Sequence, residues 1–131
     1  MRDPDAGFSL IELLIVVALL SIIVTLSVGS YGRAVQRANR IDATRALLRI
    51  AVTQEHFYIE TDRYAQSVEE LGIADTSERG FYGLSIKTDD AVRGFRAHAR
   101  TVPERRQGSD RDCTLLTIDA TGAREPANCW R

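Results

Sequence analysis

The side chains that could carry out catalysis or bind a metal are few in this sequence. The chain has two histidines, and His56 lies four residues before Glu60, a spacing that would place two metal ligands on one helix face. No third ligand follows at a suitable spacing, so we interpret them as a surface pair. His98 alternates with Arg96 and Arg100 and is expected to face solvent. These residues make no nucleophile, base and orienting group, and we predict neither enzymatic activity nor a cofactor.

Carboxylates are the other candidate metal ligands. Their oxygen atoms are ligands that calcium accepts. The candidates are Asp110, Asp112 and Asp119, or the adjacent Asp89 and Asp90. Their spacing follows no known calcium-binding loop, so a domain without a metal is the stronger hypothesis.

One carboxylate, that of Glu12, interrupts the apolar run from Phe8 to Val28. A helix over that run would be about 30 Å long, the thickness of the hydrocarbon core of a bilayer. A carboxylate within such a helix is costly and marks a functional candidate, although a position near one interface relieves part of the cost. Cleavage between Gly7 and Phe8 would create a cationic amine about one helical turn before Glu12.

The two cysteines lie at the opposite end of the chain from the apolar run. Cys113 and Cys129 show neither CxxC nor zinc-site spacing, which favours a disulfide in an oxidising compartment over two buried free thiols. The net charge is −1, from 17 basic and 18 acidic residues, and gives no global indication of a nucleic-acid partner. Any function driven by charge must therefore be local.

A local excess of basic residues occurs between residues 87 and 111. These residues could follow a phosphate backbone, although aromatic side chains that would stack on bases are not interleaved with them. The candidate nucleic-acid contacts are Arg93, Arg96, Arg100, Arg105 and Arg106.

The first element that positions these residues is a long helix. From Tyr31 the apolar positions recur with a period of 3.6 residues, which predicts that the helix continues to about Tyr58. Arg33, Arg37 and Arg40 fall on the opposite face, which we interpret as solvated rather than as an anion-binding stripe. The predicted buried face comprises Tyr31, Ala34, Val35, Ala38, Ile41, Leu47, Leu48, Ala51, Val52 and Tyr58.

Strands are predicted in the second half of the chain. Residues 60–80 indicate a surface connection with a short helical piece near Ser67 to Leu71. The segments FYGLSIK, GFRAHART and CTLLTID follow, then a turn through Thr121 and Gly122. Alternation places Tyr82, Leu84 and Ile86 inward on the first segment, and Phe95, Ala97 and Ala99 inward on the second.

The predicted fold class is α+β. A long N-terminal helix, membrane-spanning in its first half and amphipathic in its second, packs on an antiparallel sheet of three or four strands.

The N-terminal sequence GFSLIELLIVVALLSIIV resembles the leader junction and first helix of type IV pilins. The resemblance implies that Gly7 is the last residue of a leader, that Phe8 becomes the N-methylated first residue, and that Glu12 acts in subunit assembly. Many pilins have a glycine and then a kinking proline where this chain has Ser21 and Gly29. Because glycine weakens a helix interior, we expect some flexibility there.

The closing segment DRDCTLLTIDATGAREPANCWR is similar to that of PilE-like pilins, whose C-terminal cysteine pair closes a loop. The two resemblances imply a pilin fold in three parts. Residues 1–7 are the leader, residues 8–30 form the hydrophobic membrane and assembly helix, and residues 31–131 form the periplasmic or pilus-surface domain, which includes the second half of the helix.

The resemblance also implies a location and partners. The arginines after the apolar run would by themselves keep the C-terminal side in the cytoplasm. The cysteines, together with the resemblance, favour a single pass through the bacterial inner membrane with the C-terminus in the periplasm. After assembly the chain would lie in a pilus at the cell surface. The implied partners are other pilin subunits, the prepilin peptidase/methyltransferase and the type IV pilus assembly machinery.

Three functional hypotheses follow. The first is a structural subunit of a type IV pilus, more a minor PilE-like pilin than a major one, used for adhesion, twitching motility or DNA uptake. The second is a DNA-binding pilin for natural transformation, which would use the basic residues between 87 and 111. The third is a pseudopilin of a type II secretion system, and the cysteine pair counts against it.

Overall fold

The computed structural model describes residues 8–89 and 94–130, without the side chains of residues 26–30 and 106. The predicted leader with Gly7, the candidate metal ligand Asp90 and the candidate nucleic-acid contact Arg93 lie outside the described residues. The chain divides into two compact units, Met1–Val35 and Gln36–Arg131.

Helix α1 extends over Leu10–Thr61, slightly beyond the predicted end at Tyr58. The carbonyl of Ser9 accepts a hydrogen bond from the N–H of Leu13 at 3.2 Å, which begins the helical pattern. At the other end Asp62 has a positive φ of 56°, and its N–H donates to the carbonyl of Tyr58 at 2.8 Å. This left-handed residue terminates the helix.

The strands of the described chain form one antiparallel sheet in the order β1-β2-β3-β4. Their bounds are Tyr82–Asp89 for β1, Gly94–Thr101 for β2, Leu115–Asp119 for β3 and Arg124–Glu125 for β4. The register places Ser85 opposite His98 and His98 opposite Thr117. In the described chain, two short 3-10 turns lie between β2 and β3, at Arg106–Ser109 and Arg111–Cys113, and a third follows β4 at Ala127–Cys129.

The core lies between one face of the sheet and the part of α1 that belongs to the unit Gln36–Arg131. The inward residues predicted for β1 and β2 are all buried, so the α+β class and the strand alternation are confirmed. The buried core comprises Ala43, Leu47, Ile50, Val68, Ile73, Tyr82, Leu84, Ile86, Phe95, Ala97, Ala99, Cys113, Leu116, Ile118 and Cys129.

The predicted buried face of α1 was wrong over most of its length: Tyr31, Ala34 and Ala38 are exposed, and Leu47 is its one fully buried member. Ile41, Leu48 and Val52 are exposed, with 50%, 39% and 59% of their surfaces accessible. The stripe that packs on the sheet also contains polar residues, and Gln54 is fully buried. Its side-chain amide donates to the carbonyl of Ala65 and accepts from the N–H of Ala65, both at 2.8 Å. A polar residue that satisfies its hydrogen bonds in this way can occupy a core position, which an apolar pattern does not reveal.

The connection between α1 and β1 contains a turn instead of the predicted helical piece. The N–H groups of Leu71 and Ile73 both donate to the carbonyl of Val68, at 3.2 and 2.9 Å. Gly72 lies between them with a φ of 67°, a conformation that favours glycine. Because Val68 is buried in the core, this turn anchors the connection.

Candidate functional site

Glu12 lies in the first turn of α1, one helical turn after Phe8. Phe8 precedes the helix and is 85% exposed. Among residues 8–89 and 94–130, no cationic side chain forms an ion pair with Glu12. A carboxylate near a helix N-terminus is favoured by the helix dipole.

Large apolar side chains are exposed around the whole N-terminal part of α1, from Leu10 to Val24. Two hydroxyl groups in this stretch bond back to the helix, Ser21 Oγ to the carbonyl of Ala18 at 2.7 Å and Thr25 Oγ1 to that of Ile22 at 2.8 Å. They are thereby satisfied without an external partner. Ser21 and Gly29 both lie within the continuous helix.

No helix in the described part of the chain is long and apolar enough to cross a membrane.

The second candidate site is on the sheet, on the face opposite the core. Arg96, His98 and Arg100 alternate along β2 on this face, and Lys87 of β1 lies directly opposite Arg96. Residues two apart on a strand are about 6.8 Å apart, so the cations form a row. We call Lys87, Arg96, His98 and Arg100 the basic strand face.

Acidic residues border the basic strand face at one end. Arg96 is 3.8 Å from Asp119 of β3 and 3.9 Å from Glu125 of β4, measured between nitrogen and carboxylate oxygen. Both distances are near the upper limit for an ion pair, and the Arg96 side chain remains 51% exposed. Such exposed pairs contribute little, and within the described residues Lys87 and Arg100 have no carboxylate partner.

His98 was predicted to face solvent and is half-buried instead. Its Nδ1 atom is buried and forms no hydrogen bond of good geometry with any described residue. Loss of hydration lowers the pKa of the imidazole, and the positive charges of Lys87, Arg96 and Arg100 lower it further. The nearby carbonyl of Arg96 opposes this effect by favouring the protonated ring.

The five predicted phosphate contacts do not all lie together. Arg96 and Arg100 share the basic strand face, as the alternation indicated. Arg105 is exposed in the connection after β2, and its Nη2 atom approaches Gly80. Arg93 lies outside the described residues, and the side chain of Arg106 is not among the described side chains.

Comparison with known proteins decides the family. Residues 29–117 match the model of a family described as "Type IV minor pilin ComP, DNA uptake sequence receptor". The chain belongs to this type IV minor pilin family. Residues 2–28 of the pilin match the prokaryotic N-terminal methylation motif, which includes the Gly7–Phe8 junction and Glu12.

Two individual proteins show the same relationship. Over 83 residues the pilin is 35% identical to the type IV major pilin protein PilA of Myxococcus xanthus. The match covers 63% of this chain but 37% of that longer protein. A solved type IV pilin from Shewanella oneidensis superposes with a TM-score of 0.57 at 27% identity, over 73% of this chain and 98% of the other. The fold of the described residues is therefore that of a type IV pilin.

A disulfide joins Cys113 and Cys129 of this pilin. Both sulfur-bearing residues are buried in the core, and each belongs to a 3-10 turn of the C-terminal segment. The bond holds these turns together next to β3 and β4.

An ion pair that the sequence did not indicate lies beside the disulfide loop. Arg40 was predicted to be solvated, but its Nε and Nη2 atoms donate to the two carboxylate oxygens of Asp110 at 2.7 and 2.8 Å. Asp110 is 3% exposed. The hydrogen bond to Asp110 raises the pKa of Arg40, although partial burial opposes it. The pair links α1 to a segment 70 residues away, so no local pattern could have revealed it.

Gln107 and Tyr82 complete this cluster. The amide Nε2 of Gln107 donates to Asp110 at 2.9 Å and to the carbonyl of Gln36 at 3.1 Å. Burial raises the pKa of the Tyr82 hydroxyl to about 12, so the hydroxyl stays neutral at physiological pH. The cluster therefore holds the buried Asp110 carboxylate and the Arg40 guanidinium, with the neutral side chains of Gln107 and Tyr82 beside them.

The metal hypotheses find no support in the described geometry. Within residues 8–89 and 94–130, no three His, Cys, Asp or Glu side chains gather as a metal site. Asp110 is engaged by Arg40 and Gln107, and Asp119 Oδ1 accepts hydrogen bonds from the turn that follows β3. His56 and Glu60 are exposed on α1, as expected of a surface pair.

Proposed function

We propose that this chain is a structural subunit of a type IV pilus. Its leader is removed after Gly7, Phe8 is methylated, and the apolar helix anchors the subunit in the inner membrane with the C-terminal side in the periplasm. The subunit then enters a filament made with other pilin subunits and the pilus assembly machinery. The observation that carries the proposal is Glu12, a carboxylate without a partner in the described chain, within the matched methylation motif.

Glu12 gives the assembly step its specificity. A carboxylate in a water-poor bundle of apolar helices is strongly unfavourable unless a cation meets it. The amine of Phe8 from an adjacent subunit supplies that cation when the two helices are staggered by about one turn. A subunit in another register would bury the charge without a partner, so the pair selects one register.

Replacement of Glu12 by alanine tests this role. The Glu12→Ala variant is expected to accumulate in the membrane at the normal level and to be nearly absent from sheared pili. Glu60→Ala removes the same charge from an exposed position on α1 and is expected to enter pili normally. Mass spectrometry of both fractions measures the subunit and also its first residue. Normal incorporation of Glu12→Ala, or mature chains that begin elsewhere than methylated Phe8, would refute the proposal.

A second function, DNA binding, is favoured by the basic strand face. Lys87, Arg96 and Arg100 present three positive charges on one surface, and the matched family is described as a DNA uptake sequence receptor. Each phosphate that such a side chain neutralises releases condensed counterions, which makes the affinity fall with salt. We propose that this face contacts the phosphate backbone of DNA when the pilin is exposed in the pilus.

The salt dependence of binding tests this second function. The full chain in non-ionic detergent is titrated into a short fluorescein-labelled DNA duplex, and anisotropy is followed at several salt concentrations. Arg96→Gln/Arg100→Gln is expected to weaken binding and to reduce the slope of log affinity against log salt by about two. Arg45→Gln/Arg49→Gln makes the same charge change on exposed positions of α1 and is expected to bind as wild type. Absence of binding at low salt, or equal losses in both variants, would refute it.

A further inference from the structure

We propose that His98 is a proton-linked contact of the basic strand face, so that DNA binding takes up one proton at this imidazole. The inference rests on the proposed DNA-binding function and adds to it a dependence on pH. Its consequence is that the pilin binds DNA more tightly in mildly acidic surroundings than in alkaline ones.

The position of His98 is the first support. It lies between Arg96 and Arg100 on the same face of β2, about 6.8 Å along the strand from each. Its cross-strand neighbours, Ser85 and Thr117, carry no charge. A polyanion that spans the two arginines must therefore pass over the imidazole.

The charges that face His98 are the second support. Lys87 from β1 and Arg96 and Arg100 from β2 surround the ring with positive charge. From β3 and β4, the carboxylates of Asp119 and Glu125 are directed to Arg96. In the described chain no carboxylate is paired with His98 itself, and the buried Nδ1 forms no hydrogen bond of good geometry, although the carbonyl of Arg96 nearby partly favours the protonated ring. The free protein therefore disfavours the imidazolium.

Bound DNA reverses this balance. Phosphates that neutralise Lys87, Arg96 and Arg100 remove the repulsion and add negative potential next to the ring, which favours its protonation. Where the ring is neutral in the free protein and protonated in the complex, up to one proton passes from solvent to the imidazole for each DNA bound, and no other bond changes. Because the bound state holds more protons than the free state, affinity rises as pH falls, by at most tenfold per pH unit.

The experiment compares the two histidines of the chain. Full-length protein in non-ionic detergent is titrated with the labelled duplex between about pH 8 and about pH 5.5 at constant low salt. Wild type is expected to gain roughly five- to tenfold in affinity over this range, within the limit for uptake of one proton. His98→Gln replaces the imidazole with a side chain that does not titrate, so each affinity is compared with that of the same variant at pH 8, and little gain is expected on acidification. His56→Gln, on the exposed face of α1, is expected to follow wild type.

The outcomes separate the inference from the function on which it rests. DNA binding by wild type without a pH dependence, or the same pH dependence in His98→Gln, overturns the role of His98 and leaves DNA binding in place. Absence of DNA binding at every pH overturns both. Calorimetry of wild type in two buffers of different ionisation enthalpy measures the proton uptake directly, so the test does not depend on the folding of a variant. Zero uptake near neutral pH also overturns the inference.

Discussion

Asp110 illustrates how single polar residues are accommodated in the unit Gln36–Arg131. Its side chain is almost fully buried, yet Arg40 meets both oxygens and Gln107 donates a further hydrogen bond. A buried carboxylate of this kind is tolerated only with such compensation, because its desolvation is costly. The Arg40–Asp110 pair therefore mainly offsets the desolvation cost of the buried carboxylate, and its net contribution to the stability of the fold is small.

Removal of the Arg40 cation should therefore destabilise the folded protein. Arg40→Met keeps the aliphatic stem but leaves the Asp110 carboxylate buried without its cation, and we expect a loss of about 3–5 kcal/mol. Urea unfolding in non-ionic detergent, followed by the fluorescence of the single tryptophan, Trp130, measures it. Arg37→Met, one turn earlier and exposed, should stay within about 0.5 kcal/mol of wild type. Similar losses in the two variants would show that the pair is not the cause.

The lowered pKa of Asp119 predicts that the folded protein loses stability at acidic pH. The hydroxyl of Thr121 lowers the pKa of the carboxyl, partial burial opposes it, and the N–H groups of Ala123 and Thr121 lower the pKa further. Because this pKa is lower in the folded state, the stabilisation is present above the ordinary pKa and is lost as pH falls through the lowered one.

We therefore expect Asp119→Asn to be less stable than wild type at neutral pH and to lose less stability below about pH 4. Thermal unfolding at a series of pH values provides the measurement. Asp112→Asn removes the same charge at an exposed position and controls for net charge. A constant difference between Asp119→Asn and wild type at every pH would contradict the assignment.

At the scale of elements, the strands could be predicted well and the packing face of α1 could not. Alternation in β1 and β2 is strict, since every second residue enters one core, and the same pattern places Arg96 and Arg100 together on the outer face. On α1, the buried stripe includes Asn39, Asp42 and Gln54. Their partners lie in the connection between α1 and β1, from 11 to 40 residues away; Asp42, for example, accepts from the Ser77 hydroxyl at 2.6 Å. An apolar period cannot recognise such positions.

The connection between β2 and β3 contains a close backbone contact that requires glycine. A Cβ atom added at Gly108 would lie 2.6 Å from the carbonyl oxygen of Pro103 and 2.9 Å from its Cα. Both contacts are with backbone, so relief requires a shift of the chain beside buried Gln107.

Gly108→Ala is accordingly expected to destabilise by roughly 1–3 kcal/mol, the range for overpacked sites. Gly83→Ala is the matched control, since a Cβ atom there would meet the carbonyl of Arg100 at an ordinary 3.9 Å. Because alanine also loses less backbone entropy than glycine, the control should be neutral or slightly stabilising. Equal unfolding midpoints in urea for the two variants would refute the packing argument.

For the whole molecule, the sequence is most informative at its two ends. The junction at Gly7 and Phe8 with Glu12, and the cysteine pair, each follow a recognisable local pattern, so the family could be inferred from them. The contacts that fix the disulfide loop against α1 could not be inferred. They join residues about 70 positions apart in the sequence, such as Arg40 to Asp110 and Gln36 to Ser109. No local sequence pattern indicates that these residues are partners.

The contributions of the disulfide and of the Arg40–Asp110 pair to the free energy of unfolding should be coupled. Closing a loop of this length contributes about 3 kcal/mol in the chain-entropy model, so Cys113→Ala/Cys129→Ala should lose about that amount, as should reduced wild type. Asp110 lies directly before the turn that contains Cys113, and without the bond this segment can move and hydrate the carboxylate. We therefore expect Arg40→Met to cost less in the cysteine-free chain than in wild type, by about 1 kcal/mol or more. Strictly additive losses in urea unfolding would mean that the segment around Asp110 holds its position without the disulfide.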